Sequence, residues 1–156
     1  MKFIIFSILV VLLSFHNVSA IELSQADLFW LTQNIYWESR CQPPAGQIKV
    51  AIVTLNRMVN PVWPDTIKGV VTQPKRFSWY WNGKPNIPEN KEAWNKSKKI
   101  AIAISNIWEV LNAEQKRIYW YHRYDIKWKY ASYYKKVERI GDHVFYIPKG
   151  DRIHPL

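Results

Sequence analysis

Apolar positions recur at helical spacing through most of this chain and at strand spacing in its last third. Leu28, Leu31 and Ile35 fall at i, i+3 and i+7, on one face of a helix. Ser24 suits the N-cap of that helix, Asp27 stands three residues on as in a capping box, and Leu23 and Leu28 can staple its start. Cys41-Gln42-Pro43-Pro44-Ala45-Gly46 then turns the chain. Ile48, Ala51, Ile52, Leu55 and Val59 predict a second helix with one packed side, stopped before Pro61. Asp65 is the expected cap of a short third helix running to Val71. Residues 73–90, rich in Pro, Asn and aromatics, read as a long loop. Trp94, Ala101, Ile104, Trp108 and Leu111 set the inner face of a longer helix from about Glu89 to Ala113.

The pattern changes after that helix. Ile118 to His122 is aromatic and β-branched and reads as a strand. Val137–Ile140 and His143–Ile147 flank Gly141-Asp142, a hairpin signal. The expected fold class is α+β, mainly helical with a small antiparallel sheet near the C-terminus. At the N-terminus, Lys2 precedes an apolar run from Phe3 to Phe15 and a small-residue pattern, Val18-Ser19-Ala20. Residues 1–20 therefore read as a secretory signal peptide cleaved after Ala20, with an uncleaved anchor as the other reading. The run is short of the roughly 20 residues of a membrane span. The expectation is export to the periplasm or the extracellular space, with residues 21–156 as a single domain, a monomer.

Charge narrows the partners. The chain has 22 basic and 12 acidic side chains, and without Lys2 the net charge is near +9. Such an excess suits an anionic cell-envelope surface. Nucleic acid is the other usual reading, and export argues against it. Cys41 is the only cysteine, which precludes an intramolecular disulfide. With no His near it in sequence, it reads as a buried structural thiol rather than a nucleophile. His122, His143 and His154 lack zinc-ligand spacing, and neither metal nor cofactor is expected. His122 and His143 can face one another across the sheet. Phe77-Ser78-Trp79-Tyr80-Trp81 sits in the predicted loop. These rings can tuck the loop onto the core, stack on the apolar faces of sugars, or stack on single-stranded nucleic acid.

The next residue on the first helix's apolar face is Glu38. A carboxyl leaning toward a core or cleft wall is partly desolvated, which favours its neutral, proton-donating form. A general acid working near neutral pH needs that environment. The alternative is a Glu that closes the helix and pairs with Arg40 at the surface. Asp27 and Asp65 look like capping residues, and Glu89, Glu92, Glu109 and Glu114 belong to a charged helix.

Ile35-Tyr36-Trp37-Glu38-Ser39-Arg40, Gly46-Gln47-Ile48-Lys49-Val50-Ala51 and Leu55-Asn56-Arg57 resemble, in that order, the signature of the SleB-like cell wall hydrolases. Pro64-Asp65-Thr66-Ile67-Lys68-Gly69-Val70-Val71, Phe77-Ser78-Trp79, Tyr121-His122 and Ile140-Gly141-Asp142-His143-Val144-Phe145-Tyr146 continue the resemblance. It implies a compact lysozyme-like, transglycosylase-type domain that cuts the glycan strands of peptidoglycan, with Glu38 as the single catalytic acid. Gln47, Phe77, Ser78, Trp79 and His122 are the candidates for holding substrate. Asn56 and Arg57 belong either with them or with structural helix-to-loop contacts. The chain departs from the family at Trp37-Glu38-Ser39-Arg40, where Gly-Glu-Ala-Arg is usual, and Lys75-Arg76 is more basic than expected. Two rival classes stay open: a non-catalytic wall- or sugar-binding module, and a cationic membrane-active protein using Lys91 to Ala103 as an amphipathic helix.

Overall fold

The computed structural model describes residues 21–84, 88–151 and 153. The predicted signal peptide and His154 lie outside the described residues. Five helices come first: α1 (Gln25–Ser39), α2 (Pro44–Val59), α3 (Ile67–Thr72), α4 (Ser78–Trp81) and α5 (Lys91–Ile107). Three strands follow: β1 (Trp120–Arg123), β2 (Tyr134–Ile140) and β3 (His143–Pro148).

α1 starts as its sequence indicates, with the Ser24 hydroxyl accepting from the Asp27 N–H at 3.0 Å. Its partners are α2, α3 and α5, and this central place buries more than one stripe. Thr32, Gln33 and Asn34 are as inaccessible as Leu31 and Ile35. Their polar groups are satisfied inside. Thr32 donates to the Leu28 carbonyl at 2.7 Å, and Asn34 Nδ2 donates to Thr54 Oγ1 at 2.9 Å. α2 is likewise buried along Val50–Arg57, whereas Val59, expected to be inward, is exposed, and so is Cys41, expected to be a buried thiol but placed in the turn between α1 and α2.

Three expectations for the loops and helix ends are corrected. Thr66, not Asp65, caps α3 and accepts from the Gly69 N–H at 3.1 Å. Asp27 of α1 adds a second cap there, accepting from the Ile67 N–H at 3.0 Å. The presumed loop of residues 73–90 contains α4. The long helix gives way at Trp108 to a 3-10 turn over Trp108–Val110. α5 buries Ser97, Ala101, Ile104 and Ser105 while its lysines stay exposed. The apolar side that a membrane-active helix would need is thus taken up by the core.

The sheet order is β1-β3-β2, antiparallel throughout. Phe145 and Ile147 of β3 pack with Ile118 and with Val53 of α2, fixing the sheet to the helices. The hairpin turns at Gly141, whose φ of 56° favours glycine. A Cβ there would lie 2.3 Å from Gln42 Oε1, the atom that accepts from the Asp142 N–H. This contact ties the hairpin to the α1–α2 turn. The register sets His122 opposite Val144 and Arg123 opposite His143, so the two histidines project to opposite faces and do not meet.

Trp79 is a core residue, 4 % exposed, and its Nε1 donates to Asn34 Oδ1 at 2.9 Å. Asn34 bonds onward to Thr54 of α2, so the indole locks α4 onto both long helices. Trp79→Ala should cost ~3–5 kcal/mol through the cavity and the unpaired Asn34. Thermal or urea unfolding measures this, and an unchanged midpoint would mean the indole is not packed as described.

Candidate active site

Glu38 lies in the last turn of α1, where the helix meets the sheet. One face of a cleft of about 740 Å³ is formed there by Trp37 and Glu38. Segment 74–78, strand β1 and segment 126–130 complete the walls, with His143 beyond them. Every Asp and Glu of the chain lies among the described residues, and Glu38 is the only one lining this cleft.

The carboxyl is held by two neighbours. Tyr121 of β1 donates its hydroxyl to Glu38 Oε2 at 2.8 Å. Arg57 of α2 lies close enough to act electrostatically on it. Burial outweighs both and pushes the Glu38 carboxyl up from 4.5 to about 7, while the Tyr121 hydrogen bond and the Arg57 charge pull it back. Burial likewise raises Tyr121 well above its ordinary value, and the adjacent Glu38 adds to the effect. Arg57 is lowered by burial to about 10 and stays cationic at neutral pH. Its Nε donates to the Tyr119 carbonyl at 2.9 Å, and its guanidinium lies 4.5 Å from the Trp120 ring centroid.

The surface pairing of Glu38 with Arg40 does not occur. Arg40 reaches Glu89 at 3.6 Å and covers the Trp37 ring at 4.7 Å. Trp37 is fixed from several sides. Its Nε1 donates to Gln33 Oε1 at 3.0 Å, Tyr36 meets it edge-on, and Trp79 stacks behind it. The indole is therefore a prearranged wall beside the acid.

The other sequence candidates divide. Phe77, Ser78 and His122 line the cleft. Phe77 is buried, so Ser78 is the accessible one of that pair. His122 stacks on Tyr146 at 5.0 Å, and its Nδ1 donates to the Arg123 carbonyl at 2.6 Å. Trp79 and Gln47 do not reach the cleft. Trp79 is locked in the core, and Gln47 is buried with its Nε2 donating to the Gln42 carbonyl at 2.9 Å. Asn56 is structural, bonded to Gln115, Ile118 and Trp108. Arg57 has both roles weighed for it, bracing the chain at Tyr119 and lining the cleft. Tyr121 and Trp120 are not among the sequence candidates for the site, because strand propensity explains aromatics there equally well.

The described residues contain no group of three or more His, Cys, Asp or Glu arranged to hold a metal ion. None of their helices is long and apolar enough to cross a membrane.

A family model described as cell wall hydrolase matches residues 41–146, a span that begins just past Glu38. The spore cortex-lytic enzyme of Bacillus cereus is 29% identical over 122 residues, covering 78% of this chain and 44% of that protein. The Bacillus subtilis spore cortex-lytic enzyme is 26% identical over 122 residues, covering 78% and 38%. The chain thus spans less than half the length of these relatives. Among solved structures, the catalytic domain of the Bacillus cereus SleB protein superposes with a TM-score of 0.67 at 26% identity, covering 83% of this chain and 96% of that one. The catalytic domain of the germination-specific lytic transglycosylase SleB from Bacillus anthracis gives 0.64 at 27% identity, covering 79% and 95%.

The raised acid has a consequence for stability. Between pH 4.5 and about 7 the folded chain holds a proton on Glu38 that the unfolded chain has lost. Stability is therefore free of this burden below 4.5 and falls as pH climbs to about 7. Glu38→Gln removes the burden while keeping an acceptor for Tyr121. The variant should be more stable by ~2–3 kcal/mol above pH 7, converging with the parent below the ordinary carboxylate range. Melting curves across pH provide the check, and a parallel pair of profiles would contradict the assignment.

Proposed function

The chain belongs to the cell wall hydrolase family, and we propose that it cleaves peptidoglycan glycan strands as a lytic transglycosylase, with Glu38 as acid and then base. The observation that carries this reading is that the cleft holds one carboxyl, desolvated to a pKa of about 7. A neutral Glu38 donates its proton to the glycosidic oxygen as the C1–O bond breaks. The carboxylate so formed has the Tyr121 hydroxyl and the Arg57 charge to stabilise it. Hydrolysis by the usual two-carboxylate routes calls for a second acid to activate water or form a glycosyl-enzyme. With none in the cleft, the muramic acid's own C6 hydroxyl attacks C1 and gives its proton to Glu38. The product is a 1,6-anhydro ring, and the enzyme returns to its starting protonation state.

Trp37, Ser78 and His122 are the proposed contacts for sugar rings and N-acetyl groups, which retains two of the sequence candidates and adds the indole beside the acid. We also propose that residues 1–20 direct export, where the substrate lies, and that the basic surface adds affinity for the anionic envelope.

Mass spectrometry of digested peptidoglycan tests the reaction. The expected products end in 1,6-anhydro-muramic acid and are absent with Glu38→Gln. Reducing-end muramic acid would show hydrolysis instead. Tyr121→Phe tests the support of the acid. Losing a hydrogen bond that lowers the Glu38 pKa should move the alkaline limb of activity upward, while kcat falls about 10-fold or more because the carboxylate loses its donor. A pH–rate profile that keeps its limb would remove Tyr121 from the mechanism.

A further inference from the structure

The cleft carries more positive charge than the proposed reaction uses. We propose that this charge binds carboxylates on the muramyl substituents of the glycan, making the chain selective for strands that bear anionic side groups. The inference rests on the glycan-cleavage reading and adds which strands are cut.

Lys75, Arg76 and Lys129 all line the cleft. Among the described residues, which include every Asp and Glu, none of the three is in an ion pair. Arg123, also on the wall, is already taken by Asp125, and Arg57 is committed to Tyr119 and Glu38. Two of the three remaining cations lie against aromatic rings. The Arg76 guanidinium lies 5.4 Å from the Trp120 ring centroid, and Lys129 Nζ lies 4.6 Å from that of Tyr130. Lys75 has a φ of 60°, the only positive φ at a described residue other than glycine. That left-handed backbone is unfavourable for a lysine and marks the short segment that brings Lys75 and Arg76 to the cleft.

Charge of this sign works against the chemistry unless something offsets it. Glycoside cleavage passes through an oxocarbenium-like state, and nearby cations raise its energy by Coulomb repulsion. The cleft supplies a single carboxyl, neutral until about pH 7. The carboxylate that Glu38 becomes on giving up its proton is already supported by Tyr121 and Arg57, so an anion for Lys75, Arg76 and Lys129 has to come with the substrate. N-acetylated sugar rings are neutral, so the carboxylates are those of the muramyl substituent. They belong either to the peptide attached to it or to the free lactyl group where no peptide is attached. Binding them turns an unfavourable field into affinity and fixes the orientation of the strand across Glu38.

Three preparations of one peptidoglycan test this with the full chain: native strands, strands with carboxylates converted to methylamides, and strands stripped of peptide by an amidase. The expected kcat/KM on native strands is at least 10-fold above that on methylamidated strands. In the Lys75→Gln, Arg76→Gln, Lys129→Gln triple variant that ratio should fall toward one, and in Arg76→Lys it should persist. Stripped strands cut as well as native would show that the free lactyl carboxylate serves as well as those of the peptide. A preference for native strands over stripped would identify the peptide as the source of the anion. Either result supports the proposal. Equal rates on native and methylamidated strands, or an unchanged ratio in the triple variant, would overturn it. The parental ratio decides even if the triple variant does not fold. Cleavage of none of the three would instead overturn the glycan-cleavage reading beneath it.

Discussion

Keeping the Glu38 carboxyl partly desolvated while leaving it open to a substrate is the constraint from which the surrounding structure follows. α1 is buried on several sides, so its last turn can end against the sheet rather than in solvent. The sheet brings Tyr121 to within a hydrogen bond of that carboxyl, and α2 brings the Arg57 charge near enough to act on it. Each support opposes the effect of burial and none cancels it, so the acid rests near 7 instead of 4.5. The arrangement costs stability above neutrality, because the folded chain must then bury an ionised carboxylate.

Positioning those groups takes contacts that do no chemistry. Asn34 joins Trp79 to Thr54, Asn56 joins Trp108 to the segment before β1, and Gln42 joins the hairpin to the α1–α2 turn. All three are amides, whose paired donor and acceptor let one side chain bridge two elements. The chain has a single cysteine and so no internal disulfide. Its helices and sheet are held instead by packing and by these amide bridges.

Much of this was legible in the chain itself. The cap at Ser24, the Gly141 turn and the position of Glu38 follow from local rules that act over a few residues. What was not legible depends on distant partners. Trp79 reads as a loop aromatic until Asn34, 45 residues away, is seen to accept its N–H. Gln47 reads as a polar candidate until the Gln42 carbonyl claims it. The two histidines can face one another on sequence alone, and the register assigns them to opposite faces. Arg57 is the subtler case, because a buried arginine on a helix gives no sign of which backbone or carboxyl it serves. The family resemblance was strong enough to indicate the fold, and the structure supplies the neighbours that set the Glu38 carboxyl.

The single-acid account stands on the protonation of Glu38, which can be observed directly. Carboxyl-carbon NMR of the chain labelled at glutamate, followed from pH 4 to 9, resolves the titration of each glutamate, and Glu38→Gln identifies the signal in question. A midpoint near 7 for that resonance is the expected result. A midpoint in the ordinary range near 4.5 would mean an ionised carboxylate at neutral pH, and would contradict the account.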